Sequence, residues 1–153
     1  MLDRELFLQQ IPEWCQLSRS DILMAHSTPP PAPAGRHVLA ELTGCSAAVL
    51  NDVAGLETCF RDCAEKGGAT VVSSHFHHFS PQGVSGVVVI AESHVTVHTW
   101  PEHGYAAVDV FTCGRPEVAE AVMALLVTAL RAENVHRTSF QRGPHAVPEE
   151  ILL

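Results

Sequence analysis

Basic side chains are scarce in this sequence. Nine Lys and Arg stand against seventeen Asp and Glu in 153 residues, for a formal charge of -8 at pH 7. A polyanion such as nucleic acid is therefore excluded as a natural partner, because its phosphates need a cationic surface. A positively charged small molecule suits such a field better. Paired cysteine spacing is also missing. Cys15, Cys45, Cys59, Cys63 and Cys113 are odd in number and form no CxxC. With no signal peptide ahead of them they read as reduced thiols of a cytoplasmic protein. No apolar run is long enough to cross a membrane. What remains is a chain that is 46% hydrophobic, the right size for one domain with a substantial core.

Residues 1 to 26 carry scattered apolar groups, from Leu6 and Phe7 to Ile22 and Leu23, and predict one or two short helices. "STPPPAPAG", Ser27 to Gly35, follows as an extended linker, since its prolines fix φ and lack N–H donors. This predicts an extension over residues 1–34 and a compact domain over 35–153. Arg36 to Leu42 alternates as a strand, and Val53, Leu56, Phe60 and Cys63 recur at helical spacing until Gly67 and Gly68. Ala69 to Phe79 and Val84 to Ala91 are β-rich on either side of "PQG", and His94 to Trp100 and Tyr105 to Thr112 flank "PEHG". Pro116 opens a helix whose apolar face is Val118, Val122, Leu125, Leu126 and Ala129, ending near Asn134. Val135 to Arg142 forms a last strand. The expected fold is α+β, an antiparallel sheet with two helices packed on one face. Val87, Val89, Val95, Val97, Val108 and Val110 leave the strands enough apolar surface for a second copy to cover the other face, which predicts a homodimer with four αββα layers.

One strand-forming stretch, Gly86 to Gly114, is crowded with Glu92, Ser93, His94 and His98 and ends on Cys113. A serine hydroxyl is a poor nucleophile until a base takes its proton, and imidazole is matched to that task near neutral pH. His98 lies five residues after Ser93 and so faces the opposite side of a regular strand unless a turn or bulge intervenes. A chain reversal at Ser93 would remove that objection. Cys113, at a strand end, has a thiol placed to donate a proton or act as nucleophile.

The segment "ESHVTVHTWPEHGYAAVDVFTCG" resembles the bacterial and archaeal S-adenosylmethionine decarboxylase proenzymes. The likeness extends through "GRHVLAEL" and "FHHFSPQGVSGVVVI", over roughly residues 35 to 142. The resemblance implies self-cleavage between Glu92 and Ser93 into chains 1–92 and 93–153. Ser93 attacks the Glu92 carbonyl, an ester replaces the amide, and elimination leaves Ser93 as an N-terminal pyruvoyl cofactor at a strained reversal that cleavage relieves. It assigns His98 to proton transfer during processing, Ser85 to stabilising the intermediate, and Cys113 to protonating the substrate. Phe79 matches an aromatic that stacks on adenine and Glu102 a carboxylate that binds the ribose hydroxyls. The substrate amine condenses with the pyruvoyl ketone, which accepts the electrons released with carbon dioxide. The product, decarboxylated S-adenosylmethionine, supplies aminopropyl groups for polyamine synthesis.

Two positions depart from the family pattern. Thr43 stands where many relatives carry a bulkier group, and His103 replaces the usual Tyr after "WPE". Both thin the adenine clamp, which keeps open an arginine or ornithine decarboxylase using the same chemistry. An uncleaved relative that binds a ligand or partner is the reading from a different class. His75, His77 and His78 invite a metal, but His75 and His77 share a strand face while His78 points away, so no metal site is expected. Cys59 and Cys63 share a helix side and read as small core residues.

Overall fold

The protein is described here by a computed structural model covering residues 35–143; the helices expected before Ser27, the proline-rich linker up to Ala34, and Cys15 fall outside these residues. Strand β1, Gly35–Thr43, buries Val38, Ala40 and Leu42 and turns His37, Leu39 and Glu41 to the other side. A four-residue helix that the sequence reading missed, α1 (Ala47–Leu50), precedes α2 (Val53–Lys66). The Asp52 carboxylate accepts the Gly55 N–H at 3.0 Å and so satisfies one of the open donors at the start of α2. Cys63 is buried and Cys59 half-buried on α2.

Strands β2 (Val71–His78), β3 (Val84–Ile90), β4 (Ser93–Trp100) and β5 (Tyr105–Thr112) then form a meander; helix α3 (Pro116–Leu130) and strand β6 (Asn134–Arg142) complete the described chain. The sheet is antiparallel throughout, in the order β2-β3-β4-β5-β1-β6. Helix α2 packs on β2 and β3 and α3 on β1 and β5, all on one face, as the strand-rich middle of the sequence predicts. The helix α3 ends at Leu130, earlier than expected, because Arg131 adopts a left-handed conformation with φ 52° and its N–H closes on the Thr128 carbonyl. Its buried side is Val118, Ala119, Val122, Met123, Leu126 and Leu130, so Leu125 lies at the margin and Ala129 outside it.

The register corrects one expectation. Val95 pairs with Val110 and Val97 with Val108, so all four valines share the helix-covered face and are fully buried. Only Val87 and Val89 of the expected six lie on the helix-free face, opposite Thr96 and His94. That face is instead polar and aromatic, with His37, His75, His77, His94, His98, Thr96, Asp109, Tyr105 and Phe111.

Candidate active site

The chain reverses at Ala91–Glu92, with Ile90 paired to Ser93 across a two-residue turn. The Cys113 N–H donates to the Glu92 carbonyl at 2.8 Å. The Thr70 N–H donates to Glu92 Oε2 at 3.1 Å, and this bond holds the carboxyl below its ordinary pKa. A side chain on Gly114 would crowd Glu92, since an added Cβ would stand 3.2 Å from its Cγ. Glu92 is thus fixed through both its carbonyl and its carboxylate. Ser93 follows with φ 157°, opens β4 opposite Thr112, and places Oγ 3.1 Å from His94 Nδ1. The Cys113 side chain is exposed one residue beyond Thr112. Glu92, Ser93 and Cys113 therefore meet at one end of the sheet.

Ser85 and His98 meet at the other end. They are cross-strand partners on β3 and β4, and Ser85 Oγ is hydrogen-bonded to His98 Nδ1 at 2.7 Å. Both line a cavity of about 330 Å³ shared with Phe79, Gln82, Gly83, Thr99, Trp100 and Glu102. A shallower recess of about 280 Å³, lined also by His75, His77 and Thr96, adjoins it through the same Ser85 and His98. Local structure explains this convergence. The Phe79 N–H donates to the Gly83 carbonyl at 2.8 Å and closes the β2–β3 turn, and Asn51 Oδ1 accepts the Gly83 N–H at 2.9 Å. Glu102 sits on a 3-10 turn, Pro101–His103, that ends on left-handed Gly104 (φ 57°), and accepts from Gln82 Nε2 at 3.0 Å. Thr99 Oγ1 accepts the Val84 N–H and donates to the Leu50 carbonyl, both at 2.8 Å, under the cavity floor. Phe79 is 47% exposed at this cavity, and the His77 ring packs edge-on against it at 4.7 Å.

The seven predicted residues thus form two groups. The reversal falls before Ser93, and β4 runs from Ser93 to His98 without a bulge. Five residues at strand rise set the two about 17 Å apart, so the reversal does not fold His98 back onto Ser93 of the same chain. Sequence reasoning missed Asn51, Gln82, Thr99 and Thr112. The hydroxyl of Thr112, fully buried opposite Ser93, has no hydrogen-bond partner among the described residues. Its signal was present: a threonine at the inward parity of an otherwise apolar strand. Near Ser93 the His37 ring is wedged against Phe111 and Phe140, and burial pushes its pKa down. Tyr105 donates to the Glu41 carboxylate, which raises the phenol to about 12. His78 turns from His75 and His77 to bond Asn51 Oδ1 at 3.0 Å.

The described residues thus present a strand-end serine after a fixed carbonyl, an exposed thiol on the residue after its cross-strand partner, and a separate cavity lined by Phe79, Trp100 and Glu102. The S-adenosylmethionine decarboxylase profile matches residues 36–143. The S-adenosylmethionine decarboxylase proenzyme of Moorella thermoacetica is 50% identical over 119 residues, covering 78% of this chain and 95% of that one. That of Clostridium tetani is 52% identical over 117 residues, 76% of this chain and 93% of the relative. The crystal structure of the adenosylmethionine decarboxylase from Aquifex aeolicus superposes with a TM-score of 0.71 at 38% identity, covering 78% of this chain and 98% of that one. The chain belongs to the S-adenosylmethionine decarboxylase family.

Proposed function

We propose that the chain is a proenzyme that cleaves itself between Glu92 and Ser93, and that the cleaved protein decarboxylates S-adenosylmethionine in the cytoplasm. One observation carries this reading: the Glu92 carbonyl is held by the Cys113 N–H at 2.8 Å in a tight turn, with the Ser93 hydroxyl on the next residue. The N–H polarises the carbon that Ser93 attacks and stabilises the oxyanion that forms. An ester replaces the amide, and loss of the Ser93 Cα proton with breakage of the Cβ–Oγ bond releases Glu92 as a carboxylate. The remaining end hydrolyses to a pyruvoyl group with loss of ammonia. Residue 93 at a strand end beside an exposed thiol fits such a group, which supplies a ketone that accepts electrons as carbon dioxide leaves. Cys113 then delivers a proton to the substrate.

The separation of Ser93 from Ser85 and His98 favours a two-chain site. In an isologous pair packed through the helix-free faces, the Ser85–His98 end of each chain meets the Ser93 end of the other. Phe79 and Glu102 at the Ser85–His98 end then hold the adenosine, and the acidic field suits the sulfonium. The relatives named above carry the adenosylmethionine name, which supports that substrate over arginine or ornithine.

Intact mass of freshly purified protein under denaturing conditions tests the reading. Chains 1–92 and 93–153, the second blocked to amine sequencing, together with carbon dioxide release from S-adenosylmethionine and not from arginine or ornithine, are expected. A stable full-length chain would refute self-processing and move the reading to a binding protein.

A further inference from the structure

We propose that His94 is the base that starts self-cleavage, taking the Ser93 hydroxyl proton in the acyl shift and returning it to the departing nitrogen. The inference rests on the self-cleavage reading above and adds a catalytic residue to it. In the chain as folded, the imidazole hydrogen-bonded to the nucleophile is His94: its Nδ1 lies 3.1 Å from Ser93 Oγ. A nucleophile within hydrogen-bond reach of a base is the arrangement that activates a hydroxyl.

Of the other groups around the reversal, two are engaged and His98 is placed elsewhere, while the His37 ring, whose nitrogens have no partner among the described residues, packs against His94. Glu92 Oε2 accepts the Thr70 N–H, the Cys113 amide is committed to the Glu92 carbonyl, and His98 Nδ1 is hydrogen-bonded to Ser85. The His94 ring is also held in place. It packs at 5.9 Å from Phe111 and edge-on at 6.4 Å from His37, while Arg142 covers the Phe111 ring at 4.9 Å. A ring kept in one orientation presents the same nitrogen to Ser93 throughout the step.

The step balances without a further reagent. Ser93 Oγ bonds to the Glu92 carbonyl carbon as its proton passes to His94 Nδ1, and the negative charge collects on the oxygen held by the Cys113 N–H. Collapse breaks the carbon–nitrogen bond, and His94 passes the proton to the Ser93 nitrogen, which becomes a free amine. His94 ends neutral, and the product is the ester. Removal of the Ser93 Cα proton is a separate, later step, left to His98 of a second copy.

The test follows His94→Gln and His94→Ala beside the unaltered chain, by denaturing mass and by treatment with hydroxylamine, which cuts esters and leaves amides. The unaltered chain is expected to cleave. Both variants are expected to persist as full-length, hydroxylamine-resistant chains, slower by about 10²–10⁴ as for loss of a general base, and added imidazole is expected to restore cleavage to His94→Ala. A folded His94→Gln that cleaves at the normal rate overturns the inference, as does one that accumulates a hydroxylamine-sensitive ester, since the acyl shift then proceeds without His94. If His94→Gln fails to fold, the imidazole arm decides: cleavage of His94→Ala independent of imidazole overturns the role. An unaltered chain that never cleaves removes both this inference and the reading beneath it.

Discussion

At the scale of single residues, Cys113 separates two roles that one position combines. Its backbone N–H holds the Glu92 carbonyl and is untouched by substitution of the side chain, whereas its exposed thiol is the group proposed above to protonate the substrate. Cys113→Ala is therefore expected to cleave while its decarboxylation falls by about 10²–10⁴, read by denaturing mass and carbon dioxide release on the same sample. Equal loss of both would mean that the thiol serves processing as well. The lowered pKa of Glu92 gives a prediction of definite sign. A group depressed in the folded state stabilises above its ordinary range, and that contribution disappears as pH falls through the lowered value. Thermal unfolding of a non-cleaving Ser93→Ala chain should accordingly show a gain over its Glu92→Gln counterpart at neutral pH that vanishes in acid; parallel curves would contradict it. The identities of these residues were legible in the sequence because reactive types cluster in one stretch. Their partners were not: that a Thr70 amide meets the Glu92 carboxylate depends on bringing together positions 22 residues apart.

At the scale of elements, alternation and turn residues located every strand of the meander to within two residues. What alternation did not give was the face: a period of two sorts residues into two sets, and only the pairing register joins the sets of different strands. Val95 and Val97 went to the helices because Val88 and Val110 stand opposite or beside them in the same set. The same register placed Ser85 against His98, an association between residues 13 apart that no single-strand pattern contains. Helix α1 is too short for periodicity to register, yet its last carbonyl anchors Thr99 and the next residue, Asn51, anchors the β2–β3 turn. Thr99→Val would keep the shape and leave the Val84 N–H unpaired in the core. It is expected to cost about 1–3 kcal/mol, measured by denaturant unfolding of the non-cleaving Ser93→Ala chain. A neutral result would show that the turn is held without this bond.

At the scale of the whole molecule, the proposed cleavage would cut the chain but not the sheet. Strands β1, β2 and β3 belong to chain 1–92 and β4, β5 and β6 to chain 93–153, yet the order β2-β3-β4-β5-β1-β6 interleaves them. Three ladders, β3–β4, β5–β1 and β1–β6, cross between the fragments. Separating them would open most of the core, so the fragments are expected to co-migrate under native conditions and part only in denaturant. The polar helix-free face bears on assembly in a similar way. A face carrying histidines, Thr96 and Asp109 gains less from burial than one built of valines, so an interface there must draw on function as well as area. Completing a site across two chains is such a function, and it can be tested without a structure of the pair. Ser93→Ala lacks the nucleophile and retains His98; His98→Ala lacks the later base and retains Ser93. Each alone should remain uncleaved. Co-expressed, they can form a mixed pair in which the Ser93→Ala chain lends His98 to the Ser93 of its partner. Cleavage of the His98→Ala chain in the mixture, absent from either variant alone, is the expected result. Continued failure in a mixture shown by native mass to contain hybrid pairs would confine His98 to its own chain, some 17 Å along β4 from the serine, and would leave the two-chain site without support.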